Sequence, residues 1–347
     1  VTGPRDGLRV AVLGGVPRAL GGGGLEIQIE RTTAALRDRG LDVRSVRDAP
    51  SDWAFDVLHV FGHTADVGHF LHHWRRQPAH LVVSPVVVVP ERRERRLKVA
   101  TRLPIPAFEP RVLRALATRA DQLIALTRWE ADLLATIGGR RAAPIAIVGN
   151  GVDRQPSPDR AELERQLETT LPDRYAIVVG AVSRRKRQGK IAAALAGVIP
   201  LVVVGGWEGG PGERDRFADA ISATGGAWLG EIGSRELVDG LIAGAEVLIH
   251  LSDAEGQSLA VLEALALGTR CVLSDIPQQR ELATRCPDLV TTVSDEAAMA
   301  SALAPTASAN SPSAHRADVP SWDDVAGELA GVYDSLSGPR RLWSERA

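Results

Sequence analysis

Short apolar runs of strand length alternate with amphipathic helical stretches along most of the chain, and that alternation leaves few folds open. Leu8–Leu13, Asp42–Val46, Val57–Phe61, His80–Val83, Gln122–Ala125 and Pro144–Val148 read as strands in the first half. Ala176–Val179, Pro200–Val204, Val247–His250 and Arg270–Leu273 do so in the second. Between them Leu25–Arg39, Arg111–Arg119, Arg128–Thr136 and Arg235–Ala243 carry helical spacing. This order is the signature of a doubly wound α/β fold with parallel sheets. A chain of 347 residues that is 44% hydrophobic can bury two cores of ordinary size. The two strand sets divide at the charged, proline-bearing stretch Gln155–Pro172. We therefore expect a first Rossmann-like domain over 1–153, a linker region over 154–171 and a second Rossmann-like domain over 172–320. Ser308–Pro320 reads as a loose loop rich in Ser, Ala and Pro, and Trp322–Leu336 as a last helix within 321–347. Ligands of such sheets bind beyond the carboxyl ends of the strands.

Charge and composition narrow the partners. A formal net charge of −2 gives no electrostatic case for nucleic acid. The two cysteines, Cys271 and Cys286, make neither a metal pattern nor a disulfide framework and suit a reducing cytosol. The apolar run Leu81–Val89 is too short to span a bilayer and is broken by Pro85, and the polar start Val1–Gly7 shows no signal pattern. A cytoplasmic protein is the expectation. His69, His72 and His73 have helical spacing that could suit a metal, but no carboxylate or cysteine completes the set and a surface helix is the better reading.

The most informative stretch for chemistry is Glu255-Gly-Gln-Ser-Leu-Ala-Val-Leu-Glu263. From Ser258 the run SLAVLEALALG is apolar on every helical face, so it reads as a buried helix with Glu263 inside it. A buried carboxylate costs several kcal/mol unless a partner satisfies it. No Arg or Lys lies one turn away. Two partners remain open, a diol on a bound ligand or a tertiary salt bridge to a distant arginine. Ser258 stands where an N-cap would, and the amides and positive dipole end of such a terminus favour phosphate.

E-x7-E followed by A-L-A-L-G-T resembles the donor-site signature of the retaining glycosyltransferases of family 4 (group 1 glycosyltransferases), which have the GT-B fold. The resemblance implies two Rossmann-like domains with the active site in the cleft between them, and a last helix that crosses back to the N-terminal domain. It implies that Glu263 holds the ribose hydroxyls of a nucleotide sugar and that Glu255 acts at the sugar. Gly256, Gln257, Ser258 and Leu259, at the loop-to-helix junction, would complete the donor contacts. Only three of the 41 lysines and arginines are lysine, and Lys186 stands after a strand in Gly180-Ala-Val-Ser-Arg184-Arg185-Lys186. A compact ammonium suits phosphate oxygens. In the family a lysine at the matching place grips the donor diphosphate. The departure is Ala181, where the family commonly has arginine, so Arg184 or Arg185 would supply the missing cation, with Arg184 preferred.

Further matches carry different roles. Gly21–Gly24, after the first strand and before a helix, resembles the family's opening unit, with Gly22, Gly23 and Gly24 able to present amides to a ligand. Gly14-Gly15-Val-Pro-Arg-Ala-Leu-Gly21 lacks the spacing of a dinucleotide-binding loop. Asn150-Gly151-Val152-Asp153 resembles the family's marker at the end of the first domain and reads as architectural. His63 ends a strand in Asp56-Val-Leu-His59-Val-Phe-Gly62-His63 and stands in for the cleft histidine, which the family more often carries after the next strand, where this chain has Ser84. The run Glu91–Lys98 lies where the family binds acceptors, but its mixed signs favour a solvated helix over lipid headgroups.

The resemblance implies transfer of a sugar, a hexosyl group, from a nucleoside diphosphate to an acceptor hydroxyl with retention. No cofactor is expected beyond the nucleotide-sugar donor, and no metal, because cationic side chains cover the phosphates and no D-x-D stands near the donor loop. Two other classes stay open: a GT-B nucleotide-sugar 2-epimerase, and a non-catalytic nucleotide-sugar or glycan-binding protein. Ala181 and the missing histidine near Ser84 keep the second alive.

Overall fold

The computed structural model describes residues 7–15, 23–50, 52–65, 67–69, 79–103, 105, 108–153, 158–210, 212–303 and 316–336. The chain forms two compact units. Val1–Gly151, Glu255–Gln257 and Pro320–Ala347 make the first, and Val152–Ala254 with Ser258–Val319 make the second. No helix among the described residues is long and apolar enough to cross a membrane.

The first unit runs β1 (Arg9–Leu13), α1 (Gly24–Asp38), β2 (Asp42–Ser45), β3 (Val57–Phe61), β4 (His80–Ser84), α2 (Glu94–Ala100), α3 (Glu109–Arg119), β5 (Gln122–Ala125), α4 (Arg128–Gly138) and β6 (Ile145–Ile147). Its six strands are parallel in the order β2-β1-β3-β4-β5-β6. Every residue of β3 is buried, as a strand covered on both faces must be. Leu58, Leu81, Leu113, Leu116, Leu123 and Leu134 form the centre of its core.

The second unit runs α5 (Arg160–Leu167), β7 (Ala176–Val179), α6 (Gln188–Leu195), β8 (Leu201–Val204), α7 (Arg214–Ser222), β9 (Ala227–Trp228), α8 (Arg235–Ala243), β10 (Val247–His250), α9 (Leu259–Leu267), β11 (Cys271–Ser274), α10 (Pro277–Arg285), β12 (Val290–Val293) and α11 (Glu296–Leu303). The parallel sheet has the order β12-β11-β10-β7-β8-β9. Alternate residues of its strands feed two cores, so that Ile177 and Leu248 join one cluster while Val178 and Ile249 join the other.

Three features differ from the sequence reading. The two edge strands β9 and β12 were not expected, since one is only two residues long and the other, Val-Thr-Thr-Val, is half polar. Arg160–Leu167, expected in the linker region, is a helix capped by Asp159, and its Leu163 is buried in the second unit's core. Of the expected loop Ser308–Pro320, residues 308–315 lie outside the described residues. Ala317 is held, its amide donating to Leu265 O at 3.1 Å.

The last helix, α12 (Trp322–Ser335), belongs to the first unit and packs on α1. A capping box of Ser321 and Asp324 starts it. Arg39 Nε lies 2.7 Å from Asp323 Oδ1 beside it. Gly151 faces the backbone of Ser321 and Trp322 so closely that a Cβ there would collide. Gly151 is thus needed for close approach.

Candidate functional site

In the second sheet the chain begins at β7, adds β8 and β9 on one side, and then adds β10, β11 and β12 on the other. The direction of winding therefore reverses between β7 and β10, which are hydrogen-bonded neighbours. A crevice opens at such a point beyond the carboxyl ends of the strands, where the flanking loops diverge. The loop after β7 carries Gly180–Arg187, and the loop after β10 carries Leu251–Ala254 and leads to α9.

These two loops are tied together. Arg185 Nη1 donates to Ala254 O at 2.8 Å and to Ser252 Oγ at 3.1 Å, and Asp253 N donates to Arg185 O at 3.2 Å. Gln188, fully buried, stitches the first loop to itself: its Oε1 accepts from Ser183 N at 3.1 Å and its Nε2 donates to Ala181 O at 2.9 Å. Arg187 adopts a positive φ of 57° and forms a two-pronged pair with Glu296, at 2.8 and 2.7 Å. That guanidinium holds the Glu296 carboxyl below its ordinary range.

Lys186 ends a short 3-10 turn, Arg184–Lys186. Its Nζ lies over the Cα of Gly180, which has φ 129° and where any Cβ would strike the ammonium. The lysine head is thus placed at the carboxyl end of β7. The preferred replacement for the missing arginine fares differently. Arg184 projects into solvent, with its side chain 85% exposed, and pairs with Glu213. Arg185 is the cation drawn into the loops, and there it serves as a clamp.

Helix α9 carries Glu263 one turn inside its first end, with the side chain 9% exposed. Its partner is Arg235, the first residue of α8, which contacts Glu263 Oε1 and lies 3.8 Å from Asp239 Oδ1. Of the two partners the sequence leaves open, the distant arginine is therefore present. It satisfies one oxygen. Oε2 is buried and has no hydrogen-bond partner among the described residues. Ser258 is the N-cap residue by backbone, with φ −74° and ψ 119°, yet its side chain makes no capping hydrogen bond. The first-turn amides of α9, including that of half-buried Leu259, thus lack the side-chain acceptor that an N-cap serine would supply.

Other expected site residues fall in the first unit. Glu255 is half-buried and Gly256 buried, the latter packed against Val86 and Leu126. Gln257, expected at the donor, is engaged within this unit. Its Oε1 accepts from Asn150 N at 2.6 Å, its Nε2 donates to Leu126 O at 3.3 Å, and Asn150 Nδ2 donates to its carbonyl at 3.3 Å. Gly22 lies outside the described residues. Gly23 does not offer its amide outward, because that N–H donates to Glu26 Oε2 at 2.8 Å, and Gly24 is already the first residue of α1.

His63 follows β3, and its Nδ1 lies 2.9 Å from Pro85 O. A carbonyl only accepts, so Nδ1 carries the proton, and in the neutral ring Nε2 keeps its lone pair. Ser84, which stands where the family more often carries the histidine, is engaged within the unit: His59 lies buried with Nε2 2.9 Å from Ser84 Oγ and Nδ1 2.7 Å from Tyr333 OH. Burial pushes the His59 ring down to about 3, so it stays neutral and joins β3 to α12. His69 is exposed, His72 and His73 lie outside the described residues, and no metal-holding group occurs among the described residues.

Sequence reasoning missed Glu130. It is 2% exposed on α4, its Oε1 accepts from Val87 N at 2.7 Å and its Oε2 from Leu126 N at 2.8 Å. Burial raises its pKa to about 7. It fixes the segment Pro85–Val87, where Val86 has φ 51°, and so the carbonyl that orients His63. Its signal was visible in part: Thr127 three residues ahead caps α4, which turns Glu130 inward. Arg235, Gln188 and Arg187 had no local signal, because their partners are distant in sequence or are backbone atoms.

With this geometry in hand, the comparisons are specific. A family model described as "Glycosyl transferases group 1" matches residues 159–305, the stretch that holds Lys186 and Glu263. Among solved structures, a sucrose-phosphate synthase from Thermosynechococcus elongatus is similar with a TM-score of 0.73 and 16% identity, over 95% of this chain and 99% of that one. HepE of Anabaena, in complex with UDP and glucose, is similar at TM-score 0.68 and 19% identity, over 95% and 100%. An E. coli trehalose-6-phosphate structure bound with UDP-2-fluoro glucose is similar at 0.56 and 14%, over 95% and 96%. No curated protein sequence matches the chain. The fold is GT-B, with two Rossmann-like units. Residues 159–305 carry a group 1 glycosyltransferase domain, which makes the protein an enzyme.

Proposed function

We propose that the protein is a retaining, metal-independent glycosyltransferase of family 4 that moves a hexosyl group from a nucleoside-diphosphate sugar to an acceptor hydroxyl. The observation that carries this reading is Glu263, with one carboxylate oxygen on Arg235 and the other buried without a hydrogen-bond partner among the described residues. An acceptor in that state costs free energy until a donor reaches it, and a ribose diol supplies two O–H groups. Arg235 holds the carboxylate in place. In this reading Lys186 and the first-turn amides of α9 receive the diphosphate and stabilise the charge that develops as it leaves. Glu255 acts at the sugar. The departing phosphate oxygen takes the acceptor proton on the face from which it left, so no enzymic nucleophile is needed. His63 offers Nε2 as a further acceptor near the sugar. Arg184 drops from the direct role, since solvent and Glu213 already satisfy it.

UDP with glucose and UDP-2-fluoro glucose, bound in two of the similar structures, make UDP-glucose the first donor to try. A cytoplasmic setting agrees with Cys271 and Cys286, which are both free thiols. The test is nucleoside-diphosphate release from a panel of nucleotide sugars, with and without a chelator, followed by NMR of the anomeric proton of the product. Release that survives chelation, with retained configuration, is the expected result. Inversion, metal dependence or formation of the 2-epimer from the donor alone would replace the reading. Nucleotide binding without turnover in any mixture would leave a binding protein.

A further inference from the structure

Six large hydrophobic side chains stand exposed among the described residues, and four of them belong to one stretch of the first unit: Val88 (46%), Val99 (60%), Leu103 (42%) and Ile105 (49%). Single exposed apolar residues are ordinary, but a concentration of them marks an interaction surface. The same stretch concentrates charge. Glu91–Arg102 holds Arg92, Arg93, Arg95, Arg96, Lys98 and Arg102 against Glu91 and Glu94, a net of +4 in a chain whose total is −2.

The structure shows how the signs separate. Glu94 is turned inward, 2.5 Å from Lys98 Nζ and 3.4 Å from Trp129 Nε1. Arg92, Arg93, Arg95, Arg96 and Arg102 are exposed and form no salt bridge among the described residues. Leu97 packs α2 onto the first core. Val99 lies on another side, with Arg95 one turn before it and Leu103 four residues after it. Arg95, Arg96, Val99, Ala100 and Leu103 line one open depression of about 470 Å³. The depression itself is apolar at Val99, Ala100 and Leu103 and cationic at Arg95 and Arg96, while exposed Glu91 stays at the start of the stretch.

We propose that α2, Arg102, Leu103 and Ile105 form a peripheral docking surface for an anionic lipid bilayer. Val99, Leu103 and Ile105 enter the interface, while Arg92, Arg95, Arg96 and Arg102 lie among the headgroups with their stems adding apolar contact. Charge complementarity selects the occupant: a patch of +4 on a weakly acidic protein is attracted to an anionic leaflet, and its apolar centre requires a surface that accepts side chains. Both elements contribute, since binding at such a surface scales with the apolar area buried plus the electrostatic attraction to anionic lipids.

Co-sedimentation of the full chain with vesicles tests this, using phosphatidylcholine mixed equally with phosphatidylglycerol, and phosphatidylcholine alone. No nucleotide is present, so failure leaves the donor reading untouched. Binding to the mixed vesicles only is expected. Arg95→Gln with Arg96→Gln should weaken it by roughly fivefold for each arginine. Val99→Ser with Leu103→Ser should weaken it tenfold or more. All four side chains are exposed, and unchanged melting temperatures verify the fold. Absence of binding to mixed vesicles overturns the proposal. So does binding that the serine pair leaves intact, which would make the patch a site for any polyanion. Loss of self-association in the serine pair, without vesicle binding in the wild type, would make it an interface between copies of the chain.

Discussion

Glu130 and Glu263 are two buried carboxylates on helices that follow strands, one in each unit, and they are satisfied in opposite ways. Glu130 gives both oxygens to backbone amides, Val87 N and Leu126 N. Glu263 gives one oxygen to the Arg235 side chain and keeps the other in a buried position without a hydrogen-bond partner among the described residues. A carboxylate with every lone-pair direction of use taken by main chain is a structural pin. One held by an arginine at a single oxygen still has an acceptor to offer. Burial alone would have ranked them alike.

The largest effect expected from this contrast is on folding. Glu130→Ala strands two buried N–H groups, and at about 1–3 kcal/mol each the loss should be about 4 kcal/mol in denaturant unfolding. Glu263→Gln keeps the shape and one acceptor, so it should cost much less. Equal destabilisation by the two changes would erase the distinction.

Next comes pH. Burial raises the Glu130 carboxyl from its ordinary 4.5 to about 7. Between those values the folded state holds a proton that the unfolded state has lost, so stability falls as pH rises. The Glu130 contribution should drop by roughly 3 kcal/mol from pH 4.5 to above pH 7. Glu130→Gln should flatten that part of the stability profile. A profile that keeps its slope in the variant would assign it to other groups.

Much of this was legible before the structure. The strand and helix series, the α9 signature and the position of Lys186 depend on local pattern, and local pattern is what a sequence displays. The partner of Glu263 was not legible, because Arg235 sits 28 positions earlier and meets it only when α8 and α9 pack. The partners of Gln257 were hidden for the same reason: its amide is engaged by Asn150 and Leu126, over 100 positions away. Glu130 was overlooked because an acid near a helix start looks like an ordinary first-turn residue, and only tertiary burial reveals that it faces inward. The edge strand β9 escaped because two residues cannot show a period.

The smallest effect should be at Arg184. Its guanidinium is exposed and paired with Glu213. Arg184→Ala should leave the melting temperature and nucleotide affinity unchanged, whereas Lys186→Ala should lower affinity for a nucleoside diphosphate and spare that for the nucleoside. Equal losses from the two would restore Arg184 as the missing phosphate ligand.

The most direct measurement compares calorimetric binding of a nucleoside diphosphate and its 2′,3′-dideoxy analogue, in wild type and in Glu263→Gln. UDP is the first pair to use, with GDP and ADP after it. Hydrogen bonds to a charged group are worth about 1.5–3 kcal/mol, so the wild type should prefer the intact ribose by roughly 10- to 100-fold. That preference should shrink to a few-fold in Glu263→Gln, with binding of the dideoxy analogue little changed. A wild type that binds both ligands equally, or a preference that survives in the variant, would contradict the ribose role of Glu263 and the donor site built on it.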